Sequence, residues 1–174
     1  MKFNATELDG VFEIWIEPHS DSRGFFTRLF CPAETMRAGL DFTSTQINLS
    51  RNTRALTLRG MHYQAEPYAE AKLVRAVSGA LYDVVVDLRP GSATQFQWIG
   101  RTLDARQCNA VFVPKGFAHG FLTLEPDTDV LYQMGSPYIA GEARGFRYDD
   151  PKVNISWPHQ PKIVSSADQL WPLL

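Results

Sequence analysis

Cysteine is nearly absent from this 174-residue chain. The two that occur, Cys31 and Cys108, lie far apart and neither belongs to a CxxC pair, so a disulfide framework and a thiolate zinc site are both excluded. A reducing cytoplasm suits such a chain. Long apolar runs are missing as well: none approaches the ~18 residues that a membrane-spanning helix requires. The opening MKFNATELDG lacks the apolar stretch of an export signal. Nor is there an excess of one charge. Lys and Arg number 17 against 19 Asp and Glu, a net charge of −2, so no overall basic field exists to draw in nucleic acid or an anionic membrane. Internal repeats, low-complexity tracts and linker-like shifts in composition are also lacking, which removes solenoid and fibrous architectures.

What is present is the balance of a soluble globular protein, with 44% hydrophobic, 12% aromatic and 21% charged residues. Against a norm of roughly 150 residues per domain, residues 1–174 are expected to form one domain. Period-two alternation runs through VFEIWI at 11–16, STQINL at 44–49, LVRAV at 73–77, LYDVVVDL at 81–88, FQWIGRTL at 96–103 and VLYQM at 130–134, the mark of strands. Turn-forming residues punctuate them at 21–24, 78–79, 90–92, 114–116, 126–128 and 136–137. This rhythm predicts an all-β sandwich or barrel. One short helix is expected over 32–38, where Pro32 suits a first helical position and Gly39 a C-terminal cap. The less regular stretch 151–172 is expected to wrap the body.

One segment of this acidic protein is locally basic: Arg51, Arg54, Arg59, Lys72 and Arg75 stand against Glu66 and Glu70. Such a cluster is either a solvated sheet face or an anion site. Within it, Arg59-Gly60-Met61-His62 crowds polar side chains into a strand. Strand parity sends Arg59 and His62 to opposite faces unless Gly60 forms a bulge that lets both reach one cavity. Lys72 shares parity with Val74 and Ala76, so an inward Lys72 lies among apolar side chains as a strong local electrophile, and an outward one is simply surface. A second cluster, PKGFAHGF at 114–121, is a tight turn returning into a strand that carries His119, with glycines that admit a ligand close to the backbone. A lone strand histidine is ordinarily structural, whereas His62 and His119 on separate strands point to a site. Tyr132 and Tyr138 read either as amphipathic packing or as part of that site. A metal is disfavoured, because Gln64 stands where a second histidine would follow His62 and Lys72 would repel a divalent cation.

Taken in order and spacing, DSRGFF at 21–26, QIN at 46–48, LRGMHYQ at 58–64, KLV at 72–74, YDVVVDLR at 82–89, GFAHGF at 116–121, LY at 131–132, DDP at 149–151 and SWP at 156–158 resemble the dTDP-4-dehydrorhamnose 3,5-epimerases over most of the chain. The resemblance implies a cupin-type jelly-roll β-sandwich or barrel with one or two short helices, and a cytoplasmic homodimer. The implied activity is cofactor-free epimerisation of a nucleoside-diphosphate 4-keto-6-deoxy sugar. By motif position His62 is the implied base, Asp168 the carboxylate that orients it, Tyr132 the acid on the opposite side of the sugar and Lys72 the stabiliser of the enolate. Arg23 and Arg59 match residues near the diphosphate, where a guanidinium suits phosphate oxygens. Gln46, Asn48, His119 and Tyr138 match substrate-contacting positions, and Phe26 a stacking one. Two positions depart from the family pattern: Arg28 replaces a glutamate after the Gly-Phe-Phe turn, and Ala143 replaces another, with Glu142 one residue earlier.

Proton abstraction beside a ketone also serves a 3-epimerase or a sugar-nucleotide ketoisomerase, and a non-catalytic sugar-nucleotide binding module would retain the same pocket.

Overall fold

Alternation in the sequence becomes two facing sheets in the computed structural model, which describes residues 1–174. The chain opens with β1 (Lys2–Ala5) and β2 (Phe12–Trp15), a small hairpin of β3 (His19–Asp21) and β4 (Gly24–Phe26), and the helix α1 (Pro32–Arg37). The body follows as β5 (Gln46–Asn52), β6 (Thr57–Gln64), β7 (Lys72–Ser78), β8 (Ala80–Asp87), β9 (Trp98–Asp104), β10 (Ala110–Val113), β11 (Phe117–Thr123) and β12 (Thr128–Met134). The short β13 (Ala143–Gly145), β14 (Ile163–Val164) and α2 (Ser166–Gln169) complete it. One sheet has the order β1-β2-β10-β7-β12-β5 and the other β13-β6-β11-β8-β9, with β14 added in parallel to β6. This is the expected all-β sandwich with two short helices. Both cysteines are unpaired, and no helix is long and apolar enough to cross a membrane.

The inner faces of the sheets meet in one apolar cluster. Val74 and Ala76 of β7, Val111 and Val113 of β10 and Val130 of β12 pack against Leu81 and Val85 of β8 and Phe117 and Phe121 of β11. Removing one such side chain from water contributes about 1.5–3 kcal/mol. Parts of the outer faces are also covered. Ala110 and Phe112 of β10 join Leu40 and Phe42 beside α1, while Val84, Val86 and Met61 are capped by Phe146 and Val153. Burial on both faces explains why AVFV in β10 shows no alternation and escapes a period-two reading. The C-terminal stretch does wrap the second sheet, with Trp157 edge-on to Tyr82 and its indole N–H donating to Tyr148 O at 3.0 Å.

Candidate active site

The bulge expected at Gly60 is present. Across β6 and β11, His62 pairs with His119 and Arg59 with Phe121, so β6 takes three steps where β11 takes two. Only glycine fits there: Gly60 has φ +143°, and an added Cβ would lie 2.6 Å from Gly120 Cα. The extra residue turns Arg59 and His62 to one side, and both line a single cavity of about 440 Å³. Of the five cations in the basic segment, Arg59 and Lys72 line this cavity. Arg51 is paired with Asp129, and buried Arg75 donates to the carbonyls of Leu29 and Cys108.

His62 presents Nε2 to Asp168 Oδ1 at 2.6 Å. Asp168 is fixed by α2, a single turn whose N-cap Ser165 accepts from the Asp168 backbone N–H at 3.1 Å. Burial opposes ionisation of Asp168, but the bonds from His62 and Ser165 and the Gly60 N–H hold its carboxyl below the usual range. It is therefore an anion at neutral pH. An anion on Nε2 keeps the proton of neutral imidazole on that nitrogen and leaves the Nδ1 lone pair free as a base.

Gln46 and Asn48 of β5, with Met134 of β12 and Tyr138 beyond it, form the wall contributed by the first sheet. Register places them together, since Gln46 lies opposite Met134 and Asn48 opposite Tyr132. Gln46 Nε2 donates to Asn48 Oδ1 at 2.8 Å, and its Oε1 accepts from the Tyr138 N–H. Lys72 points inward, as its parity with Val74 and Ala76 requires, and its ammonium is paired with Glu70 at 3.0 Å.

Two expected site residues stand just beyond this lining. His119 is buried, with Nε2 at 2.6 Å from Asp83 Oδ2, and the Tyr132 ring meets it edge-on at 5.9 Å between centroids. Burial, reinforced by the Asp83 charge and opposed by Arg59, raises the Tyr132 hydroxyl well above its ordinary value, so it stays protonated. Two others lie off the cavity altogether. Arg23 and Phe26 sit on the β3–β4 hairpin, where Arg23 grips Asp21 and Phe26 is 78% exposed. Arg28 is paired with Glu34 of α1, outside the lining, whereas Ala143 is part of it.

Sequence reading passed over Glu70 and Trp171. Glu70 was visible only as a member of a charge cluster, although it stands two residues from Lys72. Trp171 follows Asp168 by three residues, a helical neighbour spacing. Its indole N–H donates to Asp168 Oδ1 at 3.3 Å, and its ring stands edge-on to His62 at 6.2 Å. Beyond these pairs, no three His, Cys, Asp or Glu side chains are grouped as a metal site would need.

A histidine paired with a buried carboxylate thus shares one cavity with a lysine, beside a protonated tyrosine, in a sandwich of this topology. A dTDP-4-dehydrorhamnose 3,5-epimerase from Sinorhizobium fredii is 38% identical over 175 residues, covering 100% of this chain and 90% of its own. A dTDP-4-dehydrorhamnose 3-epimerase from Streptomyces niveus is 34% identical over 170 residues, covering 97% and 82% respectively. The crystal structure of a dTDP-4-dehydrorhamnose 3,5-epimerase from Bacillus anthracis, with TDP and PPi bound, superposes with a TM-score of 0.96 at 38% identity, covering 99% of each chain. The family profile described as dTDP-4-dehydrorhamnose 3,5-epimerase matches residues 5–174. The chain therefore belongs to the dTDP-4-dehydrorhamnose 3,5-epimerase family of isomerases.

Proposed function

We propose that this protein epimerises a nucleoside-diphosphate 4-keto-6-deoxy sugar of the dTDP-4-dehydro-6-deoxyglucose type, with His62 as base, Lys72 as enolate stabiliser and Tyr132 as acid. A C–H beside a ketone is weakly acidic, so its removal needs a base and a cation for the oxygen that gathers charge. His62 takes the proton and becomes imidazolium, stabilised by Asp168. The Lys72 ammonium meets the enolate oxygen in a poorly hydrated cavity. The Tyr132 hydroxyl gives a proton to the opposite face, which inverts the carbon. No electrons are lost or gained in this sequence, so the chemistry calls on no cofactor. Arg59 is assigned to the diphosphate and Gln46, Asn48, His119 and Tyr138 to the sugar nucleotide.

The observation that carries this reading is the 2.6 Å contact between His62 and Asp168 in a cavity that Lys72 also lines. Its test is NMR of dTDP-4-keto-6-deoxyglucose in deuterated buffer, beside a His62→Ala control. Enzyme-dependent loss of both the C3 and C5 proton signals is expected. Loss at C3 alone makes the protein a 3-epimerase, the reading suggested by the 34%-identical relative of that name. Binding without exchange overturns catalysis in favour of a sugar-nucleotide binding module.

We further infer a cytoplasmic homodimer. β5 is an edge strand and carries Ile47 and Leu49 at 61% and 55% exposure, an unpaired apolar edge of the kind that pairing with a second copy removes. Light scattering is expected to give the mass of two chains, falling to one in Ile47→Lys. A monomeric parent protein overturns it.

A further inference from the structure

One carboxylate in the cavity takes no part in the proton transfers above. Glu70 lies in the connection between β6 and β7, and both of its oxygens are engaged: Oε1 is 3.0 Å from Lys72 Nζ, and Oε2 accepts from Gln64 Nε2 at 2.7 Å. The two charged side chains are 9% and 8% exposed, so bulk water is no substitute partner. Glu70 is the ammonium's ion-pair partner. Gln64 is equally dependent, because its Oε1 is buried without a partner and the carboxylate alone fixes which end of the amide faces it. Two lining side chains thus hang on one anion.

An ammonium has three donors. The ion pair leaves donors for a ligand oxygen, while the pairing restricts the rotamers of a four-carbon stem. Without the anion, the buried cation would be left unpaired, with nothing to hold its direction.

We propose that Glu70 is a positioning residue for the epimerisation, holding the Lys72 ammonium aimed at the developing enolate, with Gln64 as a second strut. This rests on the function proposed above. The other ionisable groups facing the same cavity are Arg59, His62 and Tyr63 from β6, Tyr138 beyond β12 and Asp168 from α2. Parent and variant share all of these and Tyr132, so a difference between the two proteins reads Glu70.

Glu70→Gln keeps the volume and an acceptor but removes the charge, and Glu70→Asp restores the charge on a shorter stem. In Glu70→Gln, kcat for deuterium incorporation is expected to fall at least about tenfold with KM nearly unchanged. Glu70→Asp is expected to return part of the lost kcat. A second arm needs no substrate. In protein labelled with 13C at lysine Cε, the Lys72 resonance, identified by its loss in Lys72→Arg, is expected to be displaced at fixed pH in Glu70→Gln. A resonance that does not move overturns the inference, whether or not the parent turns over the sugar. A displaced resonance with unchanged kcat and KM, the parent being active, overturns it too, since the pair is then only structural. A parent that exchanges neither proton overturns the proposed function instead, leaving the resonance to decide the Lys72 pairing.

Discussion

His62 and Asp168 stand 106 residues apart in the chain and meet at 2.6 Å. The contact sets the imidazole's tautomer, so Asp168→Asn is expected to keep the shape and lose the function. A neutral amide neither fixes the proton on Nε2 nor stabilises imidazolium. We expect kcat to fall by roughly 10²-fold or more, with an unaltered circular dichroism spectrum. Full exchange activity in a folded Asp168→Asn protein would remove Asp168 from the reaction.

In the proposed mechanism, Tyr132 separates proton removal from inversion. In Tyr132→Phe the base and the cation remain, so solvent deuterium is still expected to enter the substrate beside the ketone. Return of the proton to the opposite face is what fails, and epimerised product is expected to fall by about 10²-fold. NMR of the recovered sugar reads both quantities at once, as deuterium content and configuration. Equal loss of exchange and product would mean that Tyr132 is needed before inversion.

Much of this arrangement was legible locally. Six of the strands announced themselves by alternation, α1 by Pro32 and Gly39, and the bulge by a glycine between two polar residues that strand parity would separate. β10 was hidden because the interior covers both of its faces, leaving a plain apolar run. α2 is a single turn of four residues, too short for periodicity, and the importance of Asp168 lies in a contact that no local pattern encodes; resemblance to a family supplied it. Glu70 and Trp171 were missed for a related reason. Each acts on a neighbour already suspected, through a distance that only the fold sets.

The bulge can be tested through its glycine. Gly60→Ala places a Cβ against the backbone of Gly120 at a backbone angle that L residues rarely adopt. Relief would require β6 to move, and with it Arg59 and His62. A loss of about 2–3 kcal/mol is expected in urea denaturation, with a fall in kcat beyond what the unfolded fraction explains. Gly91→Ala is the control, since Gly91 has φ +77° but open space around it; about 1–2 kcal/mol and unchanged kcat are expected. Equal effects of the two substitutions would deny the bulge its role.

Away from the cavity, Asp87 at the end of β8 predicts how the fold responds to acid. It is fully buried and accepts from the Arg89 backbone and guanidinium and from the hydroxyls of Ser92 and Thr94. Burial alone would raise its carboxyl, but these bonds together hold it far below the usual range. A carboxyl depressed in the folded state adds stability above its unfolded value of about 3.9, and that stability is lost as pH falls from there toward the folded value. Asp87→Asn removes the charge and strands Arg89, so a loss of about 3 kcal/mol is expected at neutral pH. The gap between parent and variant should then shrink by about 1 kcal/mol near pH 3, where the unfolded parent already carries a proton on this residue. Urea titrations at the two pH values check the sign directly. A gap that stays constant or widens in acid would show that Asp87 holds the turn by shape alone.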